Sequence, residues 1–147
     1  MKYLILISAL ALSACSSTSK LTSSADIASI MNLIALTEDS APNGINGTFK
    51  LPIKASSVQK GIIYLNTETD YRDRRNMTIT LQKKVIEAFI TKYGTSPHLY
   101  LINKSIEVTG EAKRLKINFF TNGKVTKKYY FQTHINVSSL HQIKVLN

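Results

Sequence analysis

The pattern of hydrophobic and polar positions divides the chain into an apolar N-terminus, one helical segment and a long region of strand-like alternation. Within residues 26–38, apolar side chains recur at helical spacing: Ile27, Ile30, Met31 and Ile34. Such a stripe predicts an amphipathic helix. Pro and Gly residues follow it and break the chain. We interpret residues 26–47 as a helix and linker, and the stripe either packs on the domain or docks a partner or the membrane surface.

From Thr48 onward the apolar period becomes that of strands. The segments "FKLPIKA", "VQKGIIYLN" and "NMTITLQ" predict three strands, and "KKVIEAFITKYG" predicts a helix that ends at Gly94. Further strands are predicted from "KSIEVTGEAKRLKINFF", "KVTKKYYFQTHINV" and "HQIKVLN". Three strands, a helix and then strands is the order of an OB-fold. Residues 48–147 are therefore predicted to be mainly β: a five-stranded OB-fold-like barrel with a helix between strands 3 and 4.

The N-terminus "MKYLILISALALSAC" has the composition of an export signal: one lysine, a short apolar run and small residues before a cysteine. Its last four residues, 12–15, resemble the lipobox of bacterial lipoproteins. That resemblance implies a signal peptide over residues 1–14 and lipidation of Cys15, the membrane partner. Ser16 implies the outer membrane, facing the periplasm. The alternative is an ordinary secretory signal with a chance cysteine.

Residues 15–25 follow as a lipidated cysteine and a flexible Ser/Thr-rich tether. Cys15 is the only cysteine, so no disulfide can form within the chain.

The formal net charge is +10, and it is concentrated in the C-terminal half. From Asn66 onward, 14 Lys and Arg stand against 6 Asp and Glu. Such a field favours polyanions such as nucleic acid or lipopolysaccharide, although a basic pI also serves solubility.

The segment "LKINFFTNGKVTKKYYF" predicts a hairpin with a three-residue loop, 121–123. This register gathers cations and aromatic side chains on one face: Arg114, Lys116, Phe120, Lys124, Lys128 and Tyr130. A two-residue loop would mix these with the apolar residues. Interleaved cations and rings are typical of surfaces that bind phosphates and stack planar groups. Alternatively, the lysines protect a strand edge from aggregation.

A second candidate lies in the segment 64–79, "YLNTETDYRDRRNMTI". Arg72, Arg74 and Arg75 stand here with three acids between Glu68 and Asn76, so the segment is neutral. Neutrality favours an ordered turn, in which Asp side chains accept local backbone N–H bonds. An Arg fork for a carboxylate or phosphate is the second interpretation.

The segments 64–79, "LINKSIEVTGEAKR" and "HQIKVL" resemble bacterial exported OB-fold proteins of uncharacterised function. The resemblance runs from about Gly61 to Leu146 and implies the fold, with Asn103 standing where those proteins commonly have Gly. His98, His134 and His141 lack metal-ligand spacing, and phosphate-loop and G-x-S-x-G motifs are absent. We therefore predict no enzyme and no cofactor. The predicted function is a periplasmic lipoprotein that binds an anionic ligand; the alternative is an accessory envelope protein that docks a protein partner.

Overall fold

A computed structural model describes residues 24–146 of the chain, with side chains from Ala28 onward. The predicted signal peptide (1–14), the lipidation site Cys15 and most of the predicted tether lie outside the described residues. Among the residues that are described, none of the helices combines the length and hydropathy needed to cross a membrane.

The described part of the chain contains three α-helices and seven strands. The helices are α1 (Ser24–Ser40), α2 (Lys83–Tyr93) and α3 (Pro97–Tyr100). The strands are β1 (Ile45–Pro52), β2 (Ala55–Gln59), β3 (Ile62–Asn66), β4 (Met77–Leu81), β5 (Ser105–Thr121), β6 (Lys124–Val137) and β7 (Ile143–Val145). A short 3-10 turn, Leu140–Gln142, precedes β7. The mainly β prediction is confirmed.

The predicted count of five strands is wrong, because local turns divide the predicted segments. Lys60 and Gly61 both have positive φ, 50° and 77°, and turn "VQKGIIYLN" into the hairpin of β2 and β3. The segment "FKLPIKA" is shared between the end of β1 and the start of β2. A glycine that supplies a left-handed conformation permits a two-residue hairpin turn that alternation alone does not reveal.

The seven strands form one curled sheet with the order β1-β5-β6-β4-β3-β2, and β7 pairs with β5. Neighbouring strands are antiparallel except β4 and β6, which are parallel. The two edge strands, β1 and β2, are separated in sequence only by Ile53 and Lys54. Because so short a link joins opposite edges of the sheet, the sheet must curl back toward itself.

The inner face of this curled sheet carries the hydrophobic core. Its fully buried side chains include Leu65, Ile79, Ile106, Ile135 and Val137. Helix α2 adds Val85 and Phe89 to the same core. This helix ends as predicted: Gly94 has φ 75°, and its N–H donates to the Ile90 carbonyl at 2.8 Å.

Helix α1 packs on the same core, so the packing interpretation of its stripe is the one observed. Ile30 and Ile34 are buried as the stripe predicts, but Met31 is 40% exposed. Leu33 and Thr37 are buried instead. The Thr37 hydroxyl lies 3.1 Å from the Thr133 hydroxyl on β6, which joins the C-terminal half of the helix to the sheet.

A two-stranded arm extends from the sheet. Strand β5 pairs with β1 through Ala112, and β6 pairs with β4 from Thr133 onward. Beyond these points, residues 115–121 pair only with residues 124–132. We call residues 113–132 the basic ribbon. As predicted, β5 and β6 form a hairpin, but its loop is different.

The loop of the ribbon has two residues, so the three-residue prediction is wrong. Thr121 pairs directly with Lys124 across Asn122 and Gly123. These two residues have φ 50° and 74°. Asn-Gly is the sequence that two-residue hairpin turns with two positive φ angles prefer. The pairing register then shifts between Asn118 and Phe120, so the register at the turn differs from the register at the base of the ribbon.

Candidate binding groove and basic ribbon

The predicted ligand surface of the ribbon is divided between its two faces. Lys116 pairs with Phe131, and Ile117 pairs with Tyr130. Since paired residues share a face and neighbours alternate, Lys116 and Tyr130 point to opposite sides. The single surface predicted from Arg114, Lys116, Phe120, Lys128 and Tyr130 is therefore wrong. The two-residue turn and the register shift are the cause, because they change which residues pair.

On the face of Lys116, the cations cover aromatic rings. The Arg114 guanidinium lies 3.9 Å from the Phe131 ring centroid, and the Lys116 Nζ lies 4.1 Å from that of Tyr129. Arg114 also lies 3.5 Å from the carboxylate of Glu38 on α1. Cation–π contacts contribute about 0.5–1 kcal/mol each at exposed sites. This face stabilises the ribbon and joins its root to α1.

The opposite face of the ribbon overhangs an open groove. Strands β2, β3, β4 and β6 supply the floor with side chains of the sheet's outer face, and the groove has a volume of about 990 Å³. Its polar lining comprises Ser57, Gln59, Tyr64, Asn66, Tyr71, Thr78, Thr80, Gln82, Tyr130, Gln132, His134 and Asn136, and its remaining lining is Glu111, Lys113, Leu115 and Ile117. Hydroxyl, amide and tyrosine groups therefore dominate the lining.

One charge of each sign, Glu111 and Lys113, lines the groove. A Glu111 carboxylate oxygen accepts the Gly44 N–H at 3.1 Å, so that carboxylate has a partner within the fold. The groove itself is therefore close to neutral, and the positive charge stands at its edge and on the ribbon.

The β3–β4 connection borders the groove as an ordered turn, and the preferred interpretation of this segment is confirmed. Asp70 accepts the Arg72 N–H and Asp73 accepts the Arg75 N–H, each at 2.9 Å. Arg75 also forms two side-chain bonds to Asp73, at 3.0 and 2.6 Å. These bonds lower the pKa of Asp73 to about 2.

The three arginines of the turn therefore have different surroundings. Arg75 is engaged by Asp73, whereas Arg74 is exposed. Arg72 donates its Nε–H to the Tyr71 hydroxyl at 3.0 Å, and Tyr71 lines the groove. The positive charge of Arg72 also opposes the rise in the pKa of Tyr130 that burial causes. The turn and the ribbon thus bring Arg72 close to Tyr71 and Tyr130, two tyrosines that line the groove.

A buried amide network fixes this turn from below. The Asn76 side-chain nitrogen Nδ2 lies 3.2 Å from the side-chain oxygen Oδ1 of Asn66 and 3.1 Å from the Thr78 hydroxyl. The Asn76 side-chain oxygen Oδ1 accepts the backbone N–H of Glu68 at 3.1 Å. Thr78 in turn donates to Asn66 at 2.8 Å. Buried polar groups paired in this way hold a loop in one conformation.

Strand β6 attaches the turn to the sheet through Gln132. Its amide nitrogen donates to the Tyr71 carbonyl at 2.9 Å, and this bond orients the amide. The Gln132 oxygen, 2.8 Å from His134 Nε2, is then the acceptor, so Nε2 carries the proton of the neutral imidazole. Burial lowers the pKa of His134 to about 4. Burial and the nearby Tyr71 raise the pKa of Tyr130.

Sequence reasoning missed most of the groove residues, including Tyr64, Tyr71 and Gln132. The signal for part of the floor was present in the alternation of β4, where Thr78 and Thr80 face away from the apolar residues. The same alternation in "QTHIN" places Gln132, His134 and Asn136 on one face. Within residues 24–146, no group of three or more His, Cys, Asp or Glu could hold a metal ion.

No protein-family model matches the sequence, and a search of curated proteins finds no match. Among solved structures, the chain is similar to the crystal structure of the p204 HINb domain, with 11% sequence identity and a TM-score of 0.32. The match covers 65% of this chain and 42% of that chain.

Proposed function

We propose that the chain is a non-enzymatic binding module of the OB type whose ligand is a linear polyanion with neutral ring units. The strand connectivity supports the fold assignment. If β1 and β2 are counted as one interrupted strand, three strands precede α2 and two long strands follow it. The parallel pairing of β4 with β6 then links the third and fifth strands of a Greek-key barrel.

One observation carries the ligand proposal: a neutral groove with three tyrosines lies beside a ribbon of strong positive charge. After Glu111 the chain holds seven cations and no acid: Lys113, Arg114, Lys116, Lys124, Lys127, Lys128 and Lys144. Ring units of a polymer fit the hydroxyl, amide and tyrosine groups of the groove. Its anionic groups are attracted by Arg72 and Lys113 at the edge.

The proposal includes attachment to a membrane through Cys15, facing the periplasm. The lipobox-like residues 12–15 and the short apolar run before them support it. Growth with an alkyne analogue of palmitate should label the full chain, and Cys15→Ala should abolish the label. Label that persists in the variant would refute this part.

The ligand proposal is tested by titrating the full chain in detergent against two fluorescent polyanions, an oligodeoxythymidylate and a lipopolysaccharide. We expect affinity that falls steeply with salt, since cations displace the counterions of the polymer. Arg72→Ala with Lys113→Ala should weaken binding about tenfold. The pair should also lower the slope of log affinity against log salt by about 1.4, two contacts at about 0.7 each for a single strand.

The matched control is Lys83→Ala with Lys84→Ala, which removes the same charge from the first turn of α2. It should leave the salt slope unchanged. Tyr130→Ala tests the ring contact and should weaken binding at every salt concentration. If the Lys83/Lys84 pair and the Arg72/Lys113 pair weaken binding equally, the interaction depends only on net charge and the proposed site is wrong. Absence of binding to either polymer at low salt would refute the proposal.

A further inference from the structure

The outer end of the basic ribbon exposes large apolar side chains that the proposed ligand site does not use. Phe120 is 64% exposed and Val125, its cross-strand partner, is 59% exposed. We call residues 119–128 the ribbon tip. Three lysines lie in the tip, Lys124, Lys127 and Lys128, and all three are exposed. The tip therefore combines apolar bulk with positive charge and contains no acid.

Apolar groups are present on both faces of the outer ribbon. Phe119 contacts Tyr130 at a centroid distance of 5.2 Å on the groove side. Tyr129 and Phe131 contact each other at 5.6 Å on the opposite side, next to Lys116. A folded partner or a single polymer strand covers one face of a narrow ribbon. A fluid lipid surface can surround both faces at once, and it also solvates an aliphatic side chain such as Val125.

We infer that the ribbon tip inserts into the interfacial layer of an anionic lipid bilayer. Charge complementarity identifies this occupant. Lysines near a surface of acidic lipids are attracted by its negative potential. Phe120 and Val125 can then leave water and enter the upper acyl chains. Tyr129, next to the tip and 52% exposed, suits the head-group level. Lysine stems extend toward the head groups from either side.

The backbone limits how deep the tip can go. A two-stranded ribbon has one unpaired edge on each strand, and backbone groups without hydrogen-bond partners are strongly disfavoured in hydrocarbon. Insertion is therefore confined to the interface, where water and head groups satisfy the edges. The groove lining extends along the ribbon as far as Ile117, and the chain from Ile117 to Thr121 spans about 13 Å at roughly 3.3 Å per residue. Insertion confined to the interface therefore leaves the groove clear of the lipid.

The test places an environment-sensitive nitrobenzoxadiazole label on the tip of the full chain. Cys15→Ser removes the native cysteine, and Val125→Cys supplies a single attachment point. Vesicles of phosphatidylcholine with phosphatidylglycerol should raise the label's fluorescence several-fold, and head-group spin labels should quench it. Vesicles of phosphatidylcholine alone should give a much smaller rise.

The matched control is Val58→Cys on β2, a valine of similar exposure at 53%. Its label should stay in water in every vesicle preparation. Adding Phe120→Ser to the tip-labelled chain should reduce the rise, whereas Leu99→Ser, which removes a 65% exposed side chain from α3, should not. An unchanged tip label, or equal rises at positions 125 and 58, would overturn the inference.

The two proposals can fail separately. If the tip inserts, Phe120→Ser leaves oligonucleotide and lipopolysaccharide binding in detergent unchanged, and Arg72→Ala leaves the lipid response of the tip label unchanged. If the oligonucleotide alone raises the tip fluorescence and vesicles do not, the tip is part of the polymer site and the lipid inference is wrong.

Discussion

Replacement of His134 by glutamine should flatten the pH dependence of stability. Burial lowers the pKa of His134 to about 4 in the folded chain, whereas an unfolded chain has the ordinary value of 6.5. Between these values the unfolded state binds a proton that the folded state does not. The free energy of unfolding therefore rises with pH across this window, and the contribution is lost as the pH falls.

The magnitude follows from the gap between the two pKa values. At about 1.4 kcal/mol for each pH unit, the contribution is at most about 3 kcal/mol at neutral pH relative to pH 4. The surroundings support neutrality of the ring: Gln132 accepts from Nε2, and Lys113 lies directly across the strand pair. A second positive charge beside Lys113 would be repelled.

Urea denaturation of both proteins at several values between about pH 4 and pH 7.5 measures the effect. The difference in free energy of unfolding between wild type and His134→Gln should grow with pH, because acidic residues titrate alike in both and cancel. In a proton NMR titration, the His134 resonance is assigned by its absence from the spectrum of the variant. Parallel stability curves, or a folded-state pKa of His134 near 6.5, would refute the argument.

Two further substitutions test the elements that position the groove. Asn76→Ala should lower the free energy of unfolding by about 1–3 kcal/mol, because it leaves the Glu68 N–H without its partner and removes one of the two donors to the Asn66 side-chain oxygen. Urea denaturation checks this, and a loss no larger than that of an exposed Asn43→Ala would contradict it. Gly123→Ala should destabilise the ribbon by about 1 kcal/mol, because φ is 74° at this position and an alanine is strained there. The cost is limited to this strain, since no atom lies close enough to clash with the added Cβ. We expect faster amide exchange in residues 113–132 with unchanged exchange in the core, and equal changes throughout the chain would contradict the prediction.

Local patterns predicted the elements whose formation depends on neighbours in sequence. Helix α2 and its end at Gly94 followed from apolar spacing and a glycine that adopts positive φ. The ordered turn before β4 followed from the density of Asp residues, which accept nearby backbone N–H groups. Asn103 is a comparable case: it has φ 61°, a left-handed conformation that Asn adopts more readily than most other residues with a side chain.

Register could not be predicted, and register decides which side chains share a face. A three-residue loop would place the cations and the apolar residues of the ribbon on opposite faces, and this separation is why the sequence pattern favoured a three-residue loop. The chain instead uses the two-residue Asn122-Gly123 turn and shifts the pairing near Asn118. A change of one residue in register moves every side chain of a strand to the other face. Alternation therefore predicts which side chains of one strand share a face, but it does not predict which faces of two paired strands lie on the same side.

The groove was beyond prediction for a different reason: its parts come from distant segments. Tyr71, Tyr130 and Lys113 line one groove because the β3–β4 turn is bonded to Gln132 on β6 and one face of the ribbon adjoins the outer face of the sheet. None of these contacts has a short sequence spacing. The local indications were the polar faces of β4 and of the segment "QTHIN" on β6, which the core did not require.

The positive charge of the ribbon has two separate roles, and composition alone cannot distinguish them. Arg114 is held by Glu38 and covers Phe131, and Lys116 covers Tyr129, so these cations occupy the rings that a ligand would need for stacking. Tyr71 and Tyr130 stand instead beside a neutral groove that Arg72 and Lys113 border. Arg72 also lies over a ring, that of Tyr71, but at 5.1 Å it is farther from the ring centroid than Arg114 and Lys116 are from theirs, at 3.9 and 4.1 Å. The rings of the Arg114 face are therefore covered more closely than those of the groove edge, and we expect ligands to use the groove edge and the tip.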